Sequence, residues 1–404
     1  MRKARPLVVL SLLAAACGGV PSIDVPLTVD PGSAEWQPVA RDRVAEECGL
    51  DPDLLDAADQ TLGHPWAVIR HGKLCHEYSP TGDDPASQVF SATKTLGAVV
   101  TGMAAYRTRD LARTGPKTGP VSADDRVDHW LDEFSFNPDA QIGHLLGMVG
   151  FNEDLSPGNR SYVYDLDGSR EINRLSDILN TAIAQDTEAL GANLDEFSKR
   201  FLFEPLGMRE STWLDGNPRK IFGWTWASTV RDMARLGLML LNGGVWNGER
   251  VLEEDWVYAM THPSFEDANV NYGYLTWLKA RTNPVLFGEC MPAALWNSYP
   301  HGSLSGAADC NYPGGVSCEQ QHDVGAWSAI GMFGQYIHGH PALDLVIVGK
   351  DMGDGLRPAG LWNAVRPALV ALDPMYHGDD DAFCAAYGAN AYAPDGARPL
   401  HPPL

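Results

Sequence analysis

Ser91 and Lys94 stand three residues apart in the segment Phe90-Ser91-Ala92-Thr93-Lys94. If a helix starts here, positions i and i+3 share a face, and the Lys94 amine sits one turn above the Ser91 hydroxyl. Such a pair can make a nucleophile. A serine hydroxyl does not ionise at neutral pH without a base beside it. A lysine buried away from water gives up its proton more readily and can be that base. A helix N-terminus also favours negative charge developing at the serine. The spacing alone is weakly specific, because chance supplies about 0.4 such pairs in a chain of this composition. A surface helix with a solvated Lys has the same local sequence, so the chemistry depends on where the chain puts this helix.

The surrounding pattern buries it. Residues 91–107 carry Leu96, Val99, Val100, Met103 and Ala104 on several faces, as a helix enclosed all round must. Upstream, Val44, Leu50, Leu54, Leu55, Ala58 and Leu62 have helical spacing. Residues 66–70 and 74–78, around a His71-Gly72-Lys73 turn, predict a hairpin. Residues 108–205 read as helices with loops, and 231–241 as an apolar helix ended by Asn242-Gly243-Gly244. Residues 329–338 and 343–348 predict two strands joined by Gly339-His340-Pro341, with His338 and His340 at the surface, and 359–372 a last helix. Strands at both ends and helices between them predict an α/β (α+β) fold: one sheet built from both termini with a helical lobe inserted.

The chain of 404 residues is 44% hydrophobic and 20% charged, an ordinary globular balance. Its net charge of −22 would repel phosphate, which excludes a nucleic-acid binder. Arg2, Lys3 and Arg5 precede an apolar stretch over 7–16 that is too short to cross a bilayer and suits a signal peptide. Cys17 follows in Leu13-Ala14-Ala15-Ala16-Cys17-Gly18, which resembles a bacterial lipobox with Cys17 lipidated. The alternative is plain secretion, periplasmic or external, with cleavage after the small residues. Six cysteines remain (Cys48, Cys75, Cys290, Cys310, Cys318, Cys384), an even number that suits disulfides in an oxidising compartment. Cys48 with Cys75 would staple the first helix to the first hairpin, and Cys310 with Cys318 flank a Gly-rich loop; the connectivity stays open. Residues 18–45 read as a tether, 46–375 as the folded domain with its helical lobe at about 108–205, and 376–404 as a tail.

Further segments carry a family likeness. Arg126-Val127-Asp128-His129-Trp130-Leu131-Asp132-Glu133-Phe134 and Ile142-Gly143-His144-Leu145-Leu146 resemble "V-x-x-Y-L-P-E-F … I-x-x-L-L". Phe203-Glu204-Pro205-Leu206-Gly207-Met208 resembles "F-x-P-L-G-M", and 227–235 followed by Asn242-Gly243-Gly244 resembles "S-T-A-x-D-L-A-R … N-G-G". With Ser91-x-x-Lys94, these ordered matches from about 60 to 372 resemble the serine β-lactamase-like hydrolases: class C β-lactamases, DD-peptidases, esterases and 6-aminohexanoate-dimer hydrolases. The resemblance implies a β-lactamase/DD-peptidase-like fold, an antiparallel sheet flanked by helices, with the site between sheet and helical lobe.

It also implies roles. Ser91 would be the nucleophile and Lys94 its base. A tyrosine relaying protons would come from Pro157-Gly158-Asn159-Arg160-Ser161-Tyr162-Val163-Tyr164, where Tyr164 and Tyr162 both qualify. The family's Tyr-x-Asn is absent, since Asp165 and Leu166 follow Tyr164. Aligning Gly334-Gln335 with the family's "G-G-Q" sets Ala329-Ile330-Gly331 where Lys-Thr-Gly or His-x-Gly is usual. Ile330, Gly331 and Tyr162 would then line the substrate, and the Ser91 and Met332 N–H groups would form an oxyanion hole. The lost basic residue counts against β-lactamase or DD-carboxypeptidase activity and favours a small ester or amide. A non-catalytic envelope-binding protein is the alternative from another class. There is no Gly-x-Ser-x-Gly, His-Glu-x-x-His or Cys-x-x-Cys, so the expectation includes no metal and no cofactor. Membrane contact is expected only through the lipid anchor, and the oligomeric state is left open. Trp224, Trp226, Trp277, Trp296 and Trp327 are expected in core and rim packing.

Overall fold

Two apolar runs from opposite ends of the chain pair at the centre of the molecule. A computed structural model describes residues 30–216, 219–269, 271–278, 326–353 and 358–369. In it, Trp66–Arg70 (β1) runs antiparallel to Leu345–Gly349, with Val68 opposite Ile347 and Ile69 opposite Val346. Every residue of both strands is buried. A strand covered on both faces needs no polar alternation, which is why neither run shows any. The antiparallel sheet has six strands in the order Trp277–Leu278, Trp327–Gly331, Gln335–His340, Leu345–Gly349, β1 and Lys73–Tyr78 (β2). The helix Val230–Leu241 packs on three strands of this sheet, Gln335–His340, Leu345–Gly349 and β1. Gly237 permits the approach, because a Cβ there would lie 2.7 Å from Val346 Cγ1 and 2.8 Å from Ile337 Cγ2.

The buried helix forms as the pattern predicts. α3 spans Thr93–Thr108, and only its last turns reach solvent. It packs on Arg174–Ile183, a helix of the 108–205 region. The helix predicted over 44–62 is instead two, α1 (Val44–Cys48) and α2 (Pro52–Leu62). Gly49 turns left-handed at φ 61° and ends α1. Asp51 then caps a new start, its Oδ1 accepting from the Asp53 and Leu54 N–H groups at 2.8 and 3.3 Å. Such a cap is worth about 1 kcal/mol, and Pro52 suits the first helical position. A disulfide joins Cys48 to Cys75 in β2, with Cα atoms 6.1 Å apart. This is the staple expected between first helix and first hairpin. In a chain-entropy treatment, closing this loop costs the unfolded chain about 3.5 kcal/mol. Cys17, Cys290, Cys310, Cys318 and Cys384 lie outside the described residues.

Three expectations are corrected. The 329–338 segment is not one strand: Trp327–Gly331 and Gln335–His340 fold back on each other through Met332, Phe333 and Gly334. Phe333 and Gly334 adopt φ of 61° and 80° to make that turn. His338 and His340 are not surface residues but are 1% exposed each, packed against Trp362. Their strand is covered on both faces, so no alternate position is left for solvent. Residues 30–45 do not behave as a tether. Trp36 is buried, and the Arg235 guanidinium donates to the carbonyls of Gly32 and Ala34. Among the described residues no helix is long and apolar enough to cross a membrane.

Candidate active site

The backbone around Ser91 is held on both sides. β3 (Ser87–Gln88) pairs with Trp226–Ser228, and the Val89 N–H donates to the Trp226 carbonyl at 2.8 Å. The chain then turns through Phe90 at φ 48° into a 3₁₀ turn, Phe90–Ala92, that runs directly into α3. A non-glycine residue in that region stores about 1–3 kcal/mol of strain and persists only where its surroundings enforce it. Here Thr93 enforces it: its Oγ1 donates to the Phe90 carbonyl at 2.6 Å and accepts from the Trp226 N–H at 2.9 Å. The result is a half-buried Ser91 at the head of a buried helix.

Lys94 lies one turn on and is 1% exposed. Its Nζ is 3.2 Å from Ser91 Oγ, 2.8 Å from the Leu166 carbonyl and 2.9 Å from the Gly223 carbonyl. A neutral amine has two N–H bonds and one lone pair. With two carbonyls as acceptors, the remaining direction faces the serine hydroxyl, so the lone pair can receive its proton. Burial pushes the amine down from 10.5 to about 7, against the opposing pull of Asp165 and Asp167. The two carbonyls sit on adjoining loops clamped by Asn173. Its Oδ1 accepts from the Phe222 and Gly223 N–H groups at 2.9 and 3.2 Å, and its Nδ2 donates to the Asp167 carbonyl at 3.1 Å. Sequence reasoning missed Asn173 and Gly223, because residues 79 and 129 positions from Lys94 carry no local signal of coming together around it.

The two tyrosines separate clearly. The Tyr164 ring lies 4.8 Å from Lys94 Nζ and 5.6 Å from the Trp277 ring. Tyr162 is buried and packs instead on Tyr272 and Trp277, with ring centres at 5.0 and 6.3 Å. On the opposite side, Gly331 ends its strand against the segment leading to Ser91: a Cβ there would be 2.1 Å from the Val89 carbonyl oxygen. Ile330 is half-buried in the same strand, and Met332 opens the turn that follows. The rings of Phe90 and Phe333 meet edge to face at 5.1 Å. Ser91, Lys94, Tyr164 and Gly331 are thus gathered at one place, while Tyr162 stands behind Tyr164 in the aromatic cluster.

No family model matches the chain. Among solved structures it is similar to a family VIII carboxylesterase, with 12% identity, a TM-score of 0.52 and 83% of this chain and 99% of that one covered. It is also similar to a candidate β-lactamase from Bacteroides dorei DSM 17855, with 15% identity, a TM-score of 0.50 and coverage of 79% and 98%. The chain has the serine β-lactamase and penicillin-binding-protein fold. Within this β-lactamase-type fold, two segments of the sequence likeness meet in space: Arg235 Nη1 donates to the Leu206 carbonyl at 2.7 Å.

Among the described residues, several next in the chain to the site residues are apolar and exposed. Leu166 stands where the family pattern has Asn, and its side chain is 41% exposed. Trp224, next to Gly223, and Met332 and Phe333, next to Gly331, are 40–46% exposed. Ala329, where a basic residue is usual, is fully buried. Trp226 and Trp327 are core residues and Trp277 is nearly so, as expected, while Trp224 is on the rim; Trp296 lies outside the described residues.

Glu171 is buried beneath the same loop and is 0% exposed on its side chain. Burial pushes its carboxyl up from 4.5 to about 8, opposed by Arg170 and reinforced by Asp165. The folded state therefore holds a proton that the unfolded chain has lost. Stability falls as pH rises from about 4.5 to about 8, by up to about 1.4 kcal/mol per pH unit. Glu171→Gln removes that slope. Thermal melts across this range should show the variant gaining on wild type as pH rises, with the two alike at acid pH.

Proposed function

We propose that the protein is a serine hydrolase that cleaves ester or amide bonds of uncharged small molecules through an acyl-enzyme on Ser91. The observation that carries this reading is a buried Lys94 amine 3.2 Å from the Ser91 hydroxyl; burial pushes the amine down to about 7. In this scheme Lys94 takes the Ser91 proton as Oγ attacks the substrate carbonyl carbon. The carbonyl oxygen becomes an oxyanion held by the N–H groups of Ser91 and Met332. Tyr164 passes the proton on to the leaving alcohol or amine as its bond to carbon breaks. Water then attacks the acyl-enzyme, delivers a proton back to the Lys94–Tyr164 pair, and releases the acid with Ser91 restored. The scheme needs no metal or cofactor.

The buried Ala329 and the exposed Leu166, Trp224, Met332 and Phe333 support a neutral substrate over one that carries a carboxylate. Location enters the proposal too. The Arg2–Cys17 segment supports export with lipid anchoring at Cys17, and the Cys48–Cys75 disulfide suits an oxidising compartment.

The test is covalent labelling with a fluorophosphonate, read by mass spectrometry, together with turnover of short-chain esters, amide dimers and nitrocefin. The label should map to Ser91. Ser91→Ala should lose labelling and at least about 10³-fold in ester turnover. If wild type neither labels nor turns over any of them, the non-catalytic reading replaces this one. Nitrocefin turnover faster than that of the esters would restore the β-lactamase reading.

A further inference from the structure

Asp165 lies between Tyr164, whose ring faces the Lys94 amine, and Leu166, whose carbonyl accepts from it. It is 1% exposed, and its carboxylate is tied to the main chain. Oδ1 accepts from the Arg170 N–H at 3.2 Å, and Oδ2 from the Glu171 and Ile172 N–H groups at 2.9 and 3.1 Å. Its own N–H points to Met148 Sδ at 3.3 Å. These bonds close the turn over 165–172 and fix the backbone that carries the Leu166 carbonyl. Asn or Ser can close a simple turn, but a single acceptor oxygen leaves part of this set of three N–H groups buried without its acceptor. Asp165 is also the foremost charged group opposing the loss of the Lys94 proton.

We propose that Asp165 is a positioning residue for Lys94, its carboxylate locking the 165–172 turn so that a main-chain carbonyl aims the amine at Ser91. This deepens the hydrolase reading and rests on Lys94 acting as the base. Around Lys94 stand Ser91 in the preceding 3₁₀ turn and the Tyr164 ring, with the carboxylates of Asp165 and Asp167 acting on it from the loop. Behind Asp165 stands Glu171, with Arg170 Nη2 3.8 Å from its Oε1. Asp167 is the natural comparison. Its carboxylate also pulls on Lys94, but it bonds only Ser169, at 3.0 Å to N and 2.7 Å to Oγ, a short turn nested inside the 165–172 frame that does not reach its closing N–H groups.

The experiment measures the rate of fluorophosphonate labelling of Ser91 against pH, which needs no knowledge of the substrate. Wild type should gain rate with a midpoint at about 7. Asp165→Asn keeps one acceptor oxygen and loses the charge. Its midpoint should move down by about half to one pH unit, and its plateau should fall about tenfold because the amine is less well aimed. Asp165→Ser, which can still cap one N–H, is the second uncharged variant should Asp165→Asn fail to fold. Asp167→Asn should shift the midpoint slightly downward at full plateau. Asp165 variants that keep the wild-type plateau, in a protein whose wild-type midpoint lies at about 7, overturn the proposal and leave Lys94 as base. A wild-type labelling rate with no such midpoint overturns the assignment of Lys94 as base, and the proposal with it.

Discussion

Lys94→Met should abolish the proposed ester hydrolysis, with kcat/KM falling on the order of 10⁴-fold while the protein remains folded. The size follows from the two roles the amine combines. General-base help alone is worth about 10²–10⁴-fold, and losing the base also leaves the serine hydroxyl un-ionised. The fold should tolerate the change. Met fills the same channel, and a lysine whose proton is destabilised by burial lowers native stability at neutral pH rather than raising it. Against this, the Leu166 and Gly223 carbonyls lose a donor, so thermal stability should stay within a few degrees of wild type. Lys94→Arg separates charge from basicity. Arginine stays protonated at any working pH, so this variant should be as inactive as Lys94→Met. Steady-state kinetics on a short-chain ester checks both, and an Arg variant retaining more than a tenth of wild-type activity would show that Lys94 contributes only its charge. In wild type the same base should make kcat/KM rise with pH and level off above about 7, since only the neutral amine can accept the Ser91 proton.

Gly331→Ala is the second large effect, and it acts through space rather than chemistry. The added methyl would meet the Val89 carbonyl oxygen at 2.1 Å, a backbone atom that no rotamer change can move aside. Either the strand Trp327–Gly331 retreats from the Ser91 turn or that turn shifts. In both cases the Met332 N–H and Ser91 lose their register. A displacement near 1 Å at a reacting centre costs about 10²-fold in rate, and overpacking of this kind costs about 1–3 kcal/mol in stability. Gly243→Ala is the contrast. Nothing lies within 4 Å of a Cβ there, but its φ is 61°. It should lower the melting temperature modestly through backbone strain and leave kcat/KM unchanged. Melting curves and kinetics on the two variants distinguish a glycine kept for close approach from one kept for its conformation. Equal activity in both would mean that the strand is not part of the site.

The sequence by itself determined the elements whose signals are local. The enclosed apolar pattern of α3, the hairpin of β1 and β2, and the capped helix Val230–Leu241 follow from side-chain periodicity and turn chemistry, which act over a few residues. The Ser91–Lys94 pairing is local too, fixed by one helical turn. Tertiary structure decided the rest. Local reading could not foresee that a turn at Met332–Gly334 splits a strand, because Phe333 adopts a left-handed backbone that its side chain does not announce. Nor could it tell that His338 and His340 are interior, which depends on what covers both faces of their strand. Packing alone sets the positions of Tyr162 and Tyr164: Trp277 and Tyr272, more than a hundred residues on, hold the Tyr162 ring in their cluster, while the Tyr164 ring lies beside the amine. The largest addition is the surroundings of Lys94. Water is kept from that amine by loops at Leu166 and Gly223, joined through Asn173, and desolvation is a property of everything packed around a group rather than of its neighbours in the chain.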